Sequence, residues 1–210
     1  MPRFDYNPAV PTIRTRGRLP HWEADRAIYF VTFRPADSLP QSVVHAFEFE
    51  RRDIVATARA VGRALSPSEE RKLARLFSEQ IETKLDAGAG RCYLADPAAA
   101  SAVAESFQHF DKVRYQLYAW CVMPNHVHLL FRLFGGEKLA TVLHAWKSYS
   151  AKKANDALNR SGIFWQREYY DHLVRSDTEF HRIVGYILRN PEKAGLRNWY
   201  WKGAVLEPQE

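Results

Sequence analysis

Four stretches of the sequence concentrate β-branched and aromatic residues in the way that strands do. Residues 27–34 (AIYFVTFR) predict a central strand. Residues 115–122 (YQLYAWCV) and 126–133 (HVHLLFRL) predict two further strands, and the Met-Pro-Asn sequence between them predicts a tight turn. Residues 164–174 (FWQREYYDHLV) predict a fourth strand. The pattern therefore indicates a small sheet that contains at least one hairpin.

The remaining segments have the spacing of amphipathic helices. Residues 41–88 combine helical spacing and mixed charge with an internal capping box (Ser-Pro-Ser-Glu), which predicts a helical hairpin. Further helices are predicted over about 97–110 and about 138–158. The last helix, over about 177–190, starts at a second capping box, and we expect it to end at the Asn-Pro pair there.

The order of the elements is strand, helices, strand, strand, helix, strand, helix, which favours an α+β fold. We expect a ferredoxin-like (RRM-like) antiparallel sheet of about four strands with helices on one face, plus the helical hairpin as an insertion at about 41–88. The predicted organisation is a basic N-terminal arm at 1–26, one domain at 27–197 and a C-terminal tail at 198–210.

The charge of the chain is positive and unevenly distributed. Its 30 Lys and Arg residues exceed its 24 Asp and Glu residues, which gives a formal net charge of +6. Residues 1–105 hold 15 basic and 14 acidic residues, whereas residues 106–210 hold 15 and 10. This excess predicts a polyanionic partner for the second half, and the alternating Arg14, Arg16 and Arg18 predict a further contact through the arm.

No apolar run approaches the length of about 18 residues that a membrane-spanning helix requires. The first 22 residues contain four prolines and no continuous apolar stretch of the kind found in signal peptides. We therefore expect a cytoplasmic protein with no membrane partner. The sequence leaves open whether it is a monomer or a homodimer.

His126 and His128 are separated by one residue in a predicted strand. Because side chains alternate across a sheet, both imidazoles project from the same face and can converge on one cation. An isolated His-x-His is also common as two polar residues on a half-exposed strand. Hydrolytic zinc sites built on this motif usually have further Asp and His ligands shortly after it, whereas Leu-Leu-Phe-Arg follows here. Zinc hydrolysis is therefore disfavoured.

Tyr186 and Asn190 lie four residues apart in the last predicted helix, so they are neighbours on its surface. Both lie on the flank of an apolar stripe that packs into the core. A phenol has a pKa of about 10 and is a weak nucleophile until a cation or a base assists it. Asn190 is a candidate metal ligand beside it. Alternatively, Tyr186 is an aromatic residue at the core boundary, and Asn190 ends the helix before Pro191.

Three motifs, in the same order along the chain, resemble the REP-associated tyrosine transposases. They are MPNHVHLL at 123–130, WQREYYDH at 165–172 and YILRNPEKAGL at 186–196. These transposases are grouped with the single-tyrosine transposases of the HUH endonuclease superfamily, in which two histidines flank a hydrophobic residue. Each motif alone is a weak indication of this family, whereas three of them in the same order along the chain are specific.

Residues 29–34 and a Trp-Lys pair in the middle predicted helix also look like segments of that family. The resemblance covers roughly residues 18–36 and 88–197. The segment 41–88 is longer than a minimal member requires, and the resemblance assigns it no role beyond an embellishment or a contact surface.

The resemblance implies a metal-dependent endonuclease and strand transferase that acts at the nucleoid of a prokaryote. Its substrate would be single-stranded DNA at hairpin-bearing repeats, and it would form a 5′-phosphotyrosine intermediate. His126, His128 and Asn190 would be the metal ligands and Tyr186 the nucleophile. The implied cofactor is a divalent metal, Mg²⁺ or Mn²⁺, of which Mn²⁺ suits imidazole ligands better.

Tyr169 and Tyr170 are rival candidates for the nucleophile. They lie on opposite faces of a predicted strand and have no amide partner four residues further on. We therefore prefer Tyr186 as the nucleophile.

The middle predicted helix carries lysines interleaved with aromatic residues. Either these are solvated lysines over core aromatics, or the lysines contact phosphates while the aromatics stack on unpaired bases. The predicted DNA contacts are Arg14, Arg16, Arg18, Arg34, Trp146, Lys147, Lys152, Lys153, Arg167 and Arg175.

Three alternatives remain open from the sequence. A catalytically silent DNA-binding protein or repressor of the same fold would keep the basic surface and not need Tyr186. A replication-initiation or relaxase-type nickase usually places its tyrosine differently relative to the histidines. An RNA-binding module would use a similar sheet, but its aromatic strand motifs are missing here.

Overall fold

The structure is a computed structural model that describes residues 12–16, 19–63 and 65–205. Its strands are β1 Thr12–Arg16, β2 Leu19–Glu23, β3 Ile28–Phe33, β4 Tyr115–Met123, β5 His126–Leu133, β6 Tyr170–Leu173 and β7 Lys202–Ala204. Its α-helices are α1 Gln41–Ala60, α2 Pro67–Phe77, α3 Thr83–Asp86, α4 Pro97–Gln108, α5 Leu139–Ala157 and α6 Asp177–Lys193. A π-helical turn, Ser78–Glu82, joins α2 to α3. Within the described ranges, every helix is too short or too polar to span a membrane.

Five strands form one antiparallel sheet in the order β6-β3-β5-β4-β7. The predicted hairpin is formed by β4 and β5, and β5 lies at the centre between β4 and β3. The predicted α+β class with an antiparallel sheet is confirmed. The fifth strand, β7, was not predicted because its three residues, Lys-Gly-Ala, are too few to show an alternating pattern.

Helices cover both faces of the sheet, whereas the sequence predicted helices on one face. The larger core lies between the sheet and helices α4 and α5. On the opposite face, Phe180, Ile183 and Ile187 of α6 form a second core cluster with Ile28 of β3 and Tyr118 of β4. The reason is that β3 is buried at every one of its six positions, so both of its faces need a partner.

The predicted helical insertion is present, and it docks against the edge of the sheet. Arg51 of α1 forms an ion pair with Asp171 of β6 at 3.6 Å, and both side chains are at most 4% exposed. The ring of Phe77 stacks on that of Tyr170 with centroids 3.7 Å apart. These contacts join the insertion to the edge strand β6. Tyr170 lies on the face that carries α6, whereas Asp171 is aligned with Val31, which belongs to the larger core on the other face.

Two predicted boundaries differ from the structure. The fourth predicted strand is confined to β6, and the segment before it joins the sheet only through an isolated bridge between Pro35 and Trp165. Helix α6 continues through Pro191 to Lys193. Pro191 has no N–H to donate to the carbonyl of Ile187, so the helix loses one hydrogen bond there. The turn continues nevertheless, since the amide of Ala194 donates to the carbonyl of Asn190 at 3.1 Å.

Part of the predicted basic arm is folded. Strands β1 and β2 pair antiparallel as a separate two-stranded sheet. Arg14 and Arg16 lie on β1, and Arg18 lies outside the described residues. The role of this arm in DNA binding stays a prediction.

Candidate active site

The side chains of His126 and His128 meet on the face of the sheet that α6 covers. Both are 0% exposed, and their Nε2 atoms are 2.9 Å apart. This arrangement follows from the two-residue period of β5, which puts both rings on one face. The two nitrogens are close enough to bind the same cation.

Asn125 fixes the protonation of His126. Its side-chain amide donates to the carbonyls of Leu85 and Ala89, at 2.9 and 3.0 Å, so its Oδ1 faces the histidine. Nδ1 of His126 lies 2.7 Å from that oxygen and therefore carries the proton. Nε2 of His126 is left with its lone pair directed into the site.

His128 is oriented from the neighbouring strand. The register aligns Thr32 of β3 with His128, and the Thr32 hydroxyl lies 2.8 Å from Nδ1 of the imidazole. The ring of Phe30 stacks on His128 with centroids 5.6 Å apart. A hydrogen bond from Nδ1 to Thr32 leaves Nε2 of His128 available as a ligand atom.

Burial keeps both imidazoles neutral. It lowers the pKa of His126 to about 3 and the pKa of His128 well below its ordinary value. A second imidazole beside His128 lowers its pKa further. Neutral imidazoles are the form that binds metal ions, so no proton competes for these nitrogens near neutral pH.

Tyr186 projects from α6 into the same site. Its hydroxyl lies 3.3 Å from Nε2 of His128 and donates a hydrogen bond to Oε1 of Glu82 at 2.9 Å. Burial, followed by the negative charges of Glu82 and Asp86, raises the pKa of the phenol above its ordinary value. The ammonium of the exposed Lys193 lies over the Tyr186 ring, 5.4 Å from its centroid.

Asn190 lies one helical turn after Tyr186 and is 0% exposed. Its Nδ2 lies 3.4 Å from Nε2 of His128 and 3.3 Å from Oδ1 of Asp86. Its Oδ1 is buried without a hydrogen-bond partner among the described residues. An unpaired buried oxygen is costly, so this atom is available for a ligand.

Sequence reasoning missed the two carboxylates of the site, Glu82 and Asp86, which come from the insertion. Oδ1 of Asp86 lies 3.7 Å from Nε2 of His126. One ligand atom each of Asp86, His126 and His128 falls within a 4.8 Å cluster, an arrangement that could hold a metal ion. Burial raises the pKa of Asp86. No motif marks either carboxylate, since both lie some 40 residues before the histidines in a segment whose sequence is that of an ordinary charged helix.

The rival tyrosines lie in other surroundings. Tyr169 packs against the core on the opposite face of the sheet, with the Lys147 ammonium 5.3 Å from its ring centroid. Tyr170 shares the face of the histidines, but its ring is stacked on Phe77 of the insertion. Of these three tyrosines, Tyr186 is the one whose hydroxyl contacts His128.

Three of the predicted DNA contacts are engaged inside the fold. Trp146 is 1% exposed and donates through its indole N–H to the Tyr115 hydroxyl, so it offers no surface for a base. Arg34 is 8% exposed and donates to Ser38. The amine of Lys147 donates to two backbone carbonyls, and burial lowers its pKa to about 7.

Four other predicted DNA contacts, Lys152, Lys153, Arg167 and Arg175, are exposed. Lys152 and Lys153 lie on α5, which packs on the face of the sheet opposite to the histidines. Contact with DNA by any of these residues stays a prediction.

The comparison with protein families agrees with the geometry. Residues 96–190 match the model of a family described as Transposase IS200 like. The predicted resemblance to the tyrosine transposases is therefore confirmed. The matched region contains His126, His128, Tyr186 and Asn190, whereas Glu82 and Asp86 lie before it.

Two similar proteins are named as REP-associated tyrosine transposases. A Haemophilus influenzae protein assigned to the REP-associated tyrosine transposases is 27% identical over 47% of this chain and 62% of its own length. The REP-associated tyrosine transposase of Escherichia coli K12 is 28% identical over 39% of this chain and 47% of its own length. The chain thus spans about half to three fifths of these relatives.

A solved structure of a REP-associated tyrosine transposase bound to a REP hairpin is also similar. The aligned region covers 85% of this chain and 76% of the solved chain, with 16% sequence identity and a TM-score of 0.42.

Proposed function

We propose that the protein is a transposase that cleaves and rejoins single-stranded DNA through Tyr186. The observation that carries the proposal is the position of the Tyr186 hydroxyl, 3.3 Å from Nε2 of His128 although 58 residues separate the two in sequence. A nucleophile and a pair of metal-binding nitrogens thus share one pocket. The substrate, hairpin-bearing repeat DNA, follows from the family resemblance.

The donor atoms of the site fit a divalent cation. His126 and His128 supply neutral nitrogens, and Asp86 supplies a carboxylate oxygen. Asn190 would supply its buried Oδ1 after rotation of its amide, because Nδ2 is the atom that faces His128 and Asp86. We propose that these four residues hold the cation, with Asp86 added to the set predicted from the sequence. When bound, the cation would polarise an oxygen of the scissile phosphate. A mixed set of nitrogen and oxygen ligands suits Mn²⁺ better than Mg²⁺.

Tyr186 supplies the attacking oxygen. A bond forms between the phenolic oxygen and phosphorus, and the bond from phosphorus to the 3′ oxygen breaks. The products are a 5′-phosphotyrosine and a free 3′-OH. Because the covalent link conserves the energy of the phosphodiester, a 3′-OH from another strand can reverse the step without ATP.

The sheet is less suited to an RNA-binding module of the RRM type. Such modules stack bases on an open sheet face. Here α6 packs on the face that carries the histidines, and α4 and α5 pack on the other face. We therefore favour chemistry in a pocket over binding across the sheet.

The test is formation of a covalent protein–DNA adduct. The protein is incubated with Mn²⁺ and a labelled hairpin oligonucleotide that has single-stranded flanks, and adducts are resolved on a denaturing gel. We expect an adduct that depends on the metal and is abolished by Tyr186→Phe. Binding of the same oligonucleotide by this variant should persist, because only the reacting hydroxyl is lost.

Tyr170→Phe is the matched control, since it removes a hydroxyl from another tyrosine on the same face of the sheet. It should leave the adduct intact. An adduct that persists in Tyr186→Phe and disappears in Tyr170→Phe would show that the nucleophile is Tyr170 of β6 and that our assignment to Tyr186 is wrong. DNA binding without any adduct in the parent protein would instead favour the silent DNA-binding protein.

A further inference from the structure

The helical insertion brings a carboxylate into contact with the nucleophile. Glu82 ends the π-helical turn Ser78–Glu82, and its Oε1 accepts the hydrogen bond of the Tyr186 hydroxyl at 2.9 Å. Asp86 lies four residues later in α3, so both carboxylates lie on one side of the helix. π-helical turns are rare and are found frequently at functional sites.

Contacts on both sides of Glu82 fix the turn that carries it. Before it, Phe77 stacks on Tyr170 with ring centroids 3.7 Å apart. After it, the carbonyl of Leu85 accepts a hydrogen bond from Asn125, the residue that also orients His126. The contacts that dock the insertion on the sheet therefore also hold Glu82 against Tyr186.

We infer that Glu82 is a catalytic residue that accepts the proton of Tyr186 during strand cleavage and returns it during strand joining. The inference rests on the proposed function. A carboxylate oxygen 2.9 Å from the phenolic oxygen is within reach for direct proton transfer. The insertion is then a component of the active site and not an embellishment.

His128 is a second group that could take the proton, with its Nε2 3.3 Å from the phenolic oxygen. A nitrogen that binds a cation has no lone pair left for a proton. If His128 is a metal ligand, as proposed above, it cannot also be the base. Glu82 is then the proton acceptor that remains in contact with the hydroxyl.

The proton and electron pairs balance in both directions. In cleavage, the proton of Tyr186 moves to Glu82, and an electron pair of the phenolic oxygen forms the bond to phosphorus. The electron pair of the broken bond remains on the 3′ oxygen, which takes a proton from solvent water. In joining, the incoming 3′-OH loses its proton to water as it attacks phosphorus, and the phenolic oxygen recovers its proton from Glu82.

Glu82→Gln separates proton transfer from positioning. The amide oxygen of glutamine can still accept the hydrogen bond of Tyr186, but it cannot take the proton. We expect adduct formation to slow by about 10²–10⁴-fold, the usual contribution of a general base. Hairpin affinity and Mn²⁺ affinity, measured by titration, should remain close to those of the parent protein.

Glu50→Gln is the matched control, because Glu50 lies on the same insertion and accepts a hydrogen bond from Gln80 at 2.9 Å. It should form the adduct at the parent rate. If Glu82→Gln also forms it at the parent rate while Tyr186→Phe forms none, the inference about Glu82 is overturned and the proposed function stands. Absence of any adduct in the parent protein would overturn the proposed function itself.

Chemical rescue gives a second readout that a structural role would not produce. Glu82→Ala removes the carboxylate and leaves room for a small one. We expect millimolar to molar formate to restore part of the lost rate in Glu82→Ala and to leave Tyr186→Phe inactive. Failure of formate to raise the rate of Glu82→Ala, when that variant still binds hairpin and Mn²⁺, would count against the carboxylate as proton acceptor.

Discussion

Single hydrogen bonds decide how the two histidines can act. Each imidazole uses Nδ1 for one neighbour, Asn125 in the case of His126 and Thr32 in the case of His128. These partners fix the rings and leave both Nε2 atoms facing the site. Mutation of a group that orients a metal ligand in this way commonly weakens metal binding by about 10–100-fold.

Thr32→Val tests this orientation. The substitution keeps the shape of a buried side chain and removes the hydroxyl that lies 2.8 Å from Nδ1 of His128. We expect Mn²⁺ to bind about 10–100-fold more weakly, because the ring loses its only anchor on that nitrogen among the described contacts. Affinity can be measured by calorimetric titration or by the electron paramagnetic resonance of free Mn²⁺.

Thr57→Val is the control, since Thr57 is exposed on α1 and its hydroxyl bonds only locally to the carbonyl of Asp53. It should bind Mn²⁺ like the parent protein. Equal Mn²⁺ affinity in the parent and in Thr32→Val would mean that the Thr32 contact does not hold the ring in place.

At the scale of elements, the parts of the site that obey a local period could be predicted. The common face of His126 and His128 follows from the alternation of a strand, and the proximity of Tyr186 to Asn190 follows from the helical turn. Neither the strand alternation nor the helical period predicts that β5 and α6 lie next to each other. That expectation came from the family resemblance.

The contribution of the insertion could not be predicted in the same way. Glu82 and Asp86 reach the site because α1 and α2 dock on β6, through contacts such as those of Arg51 with Asp171 and Phe77 with Tyr170. These partners are more than 90 residues apart in the sequence, and no periodicity relates them. Long-range docking is a tertiary property that hydrophobic spacing does not encode.

The ion pair between Arg51 and Asp171 gives the prediction at this scale. Arg51→Met leaves Asp171 buried without the nearby guanidinium, and removal of one partner from a buried pair typically costs about 3–5 kcal/mol. We expect a loss of this order in the free energy of unfolding, measured by urea denaturation. Adduct formation should fall as well, because the insertion carries Glu82 and Asp86.

The double variant Arg51→Met/Asp171→Leu distinguishes charge from packing. Replacement of both partners by apolar residues removes the buried carboxylate together with the guanidinium, and such replacements are often neutral or stabilising. We therefore expect the double variant to recover most of the lost stability. A double variant as unstable as the single one would show that the stranded charge of Asp171 is not the cause of the loss, and that the ion pair itself or the packing of Arg51 holds the insertion.

At the scale of the whole molecule, the sheet separates two basic surfaces. Lys152 and Lys153 are exposed on α5, on the side away from the histidines, whereas Arg189 and Lys193 are exposed on α6 beside Tyr186. A helix packed on a sheet adds a layer of about 10 Å, which is close to the Debye length at physiological salt. Phosphates held at Tyr186, as proposed, would therefore be largely screened from the lysines of α5.

Salt dependence can determine which surface the DNA follows. Each phosphate contact on a single strand contributes about 0.7 to the slope of log affinity against log salt. We expect Arg189→Gln/Lys193→Gln to reduce that slope by about 1.4, and Lys152→Gln/Lys153→Gln, which removes the same charge, to leave it nearly unchanged. The measurement is a hairpin titration by fluorescence anisotropy at several salt concentrations. A reduced slope for the Lys152/Lys153 variant and an unchanged slope for the Arg189/Lys193 variant would mean that the DNA follows α5, as the sequence alone suggested. Full affinity would then need a substrate long enough to reach both faces of the sheet.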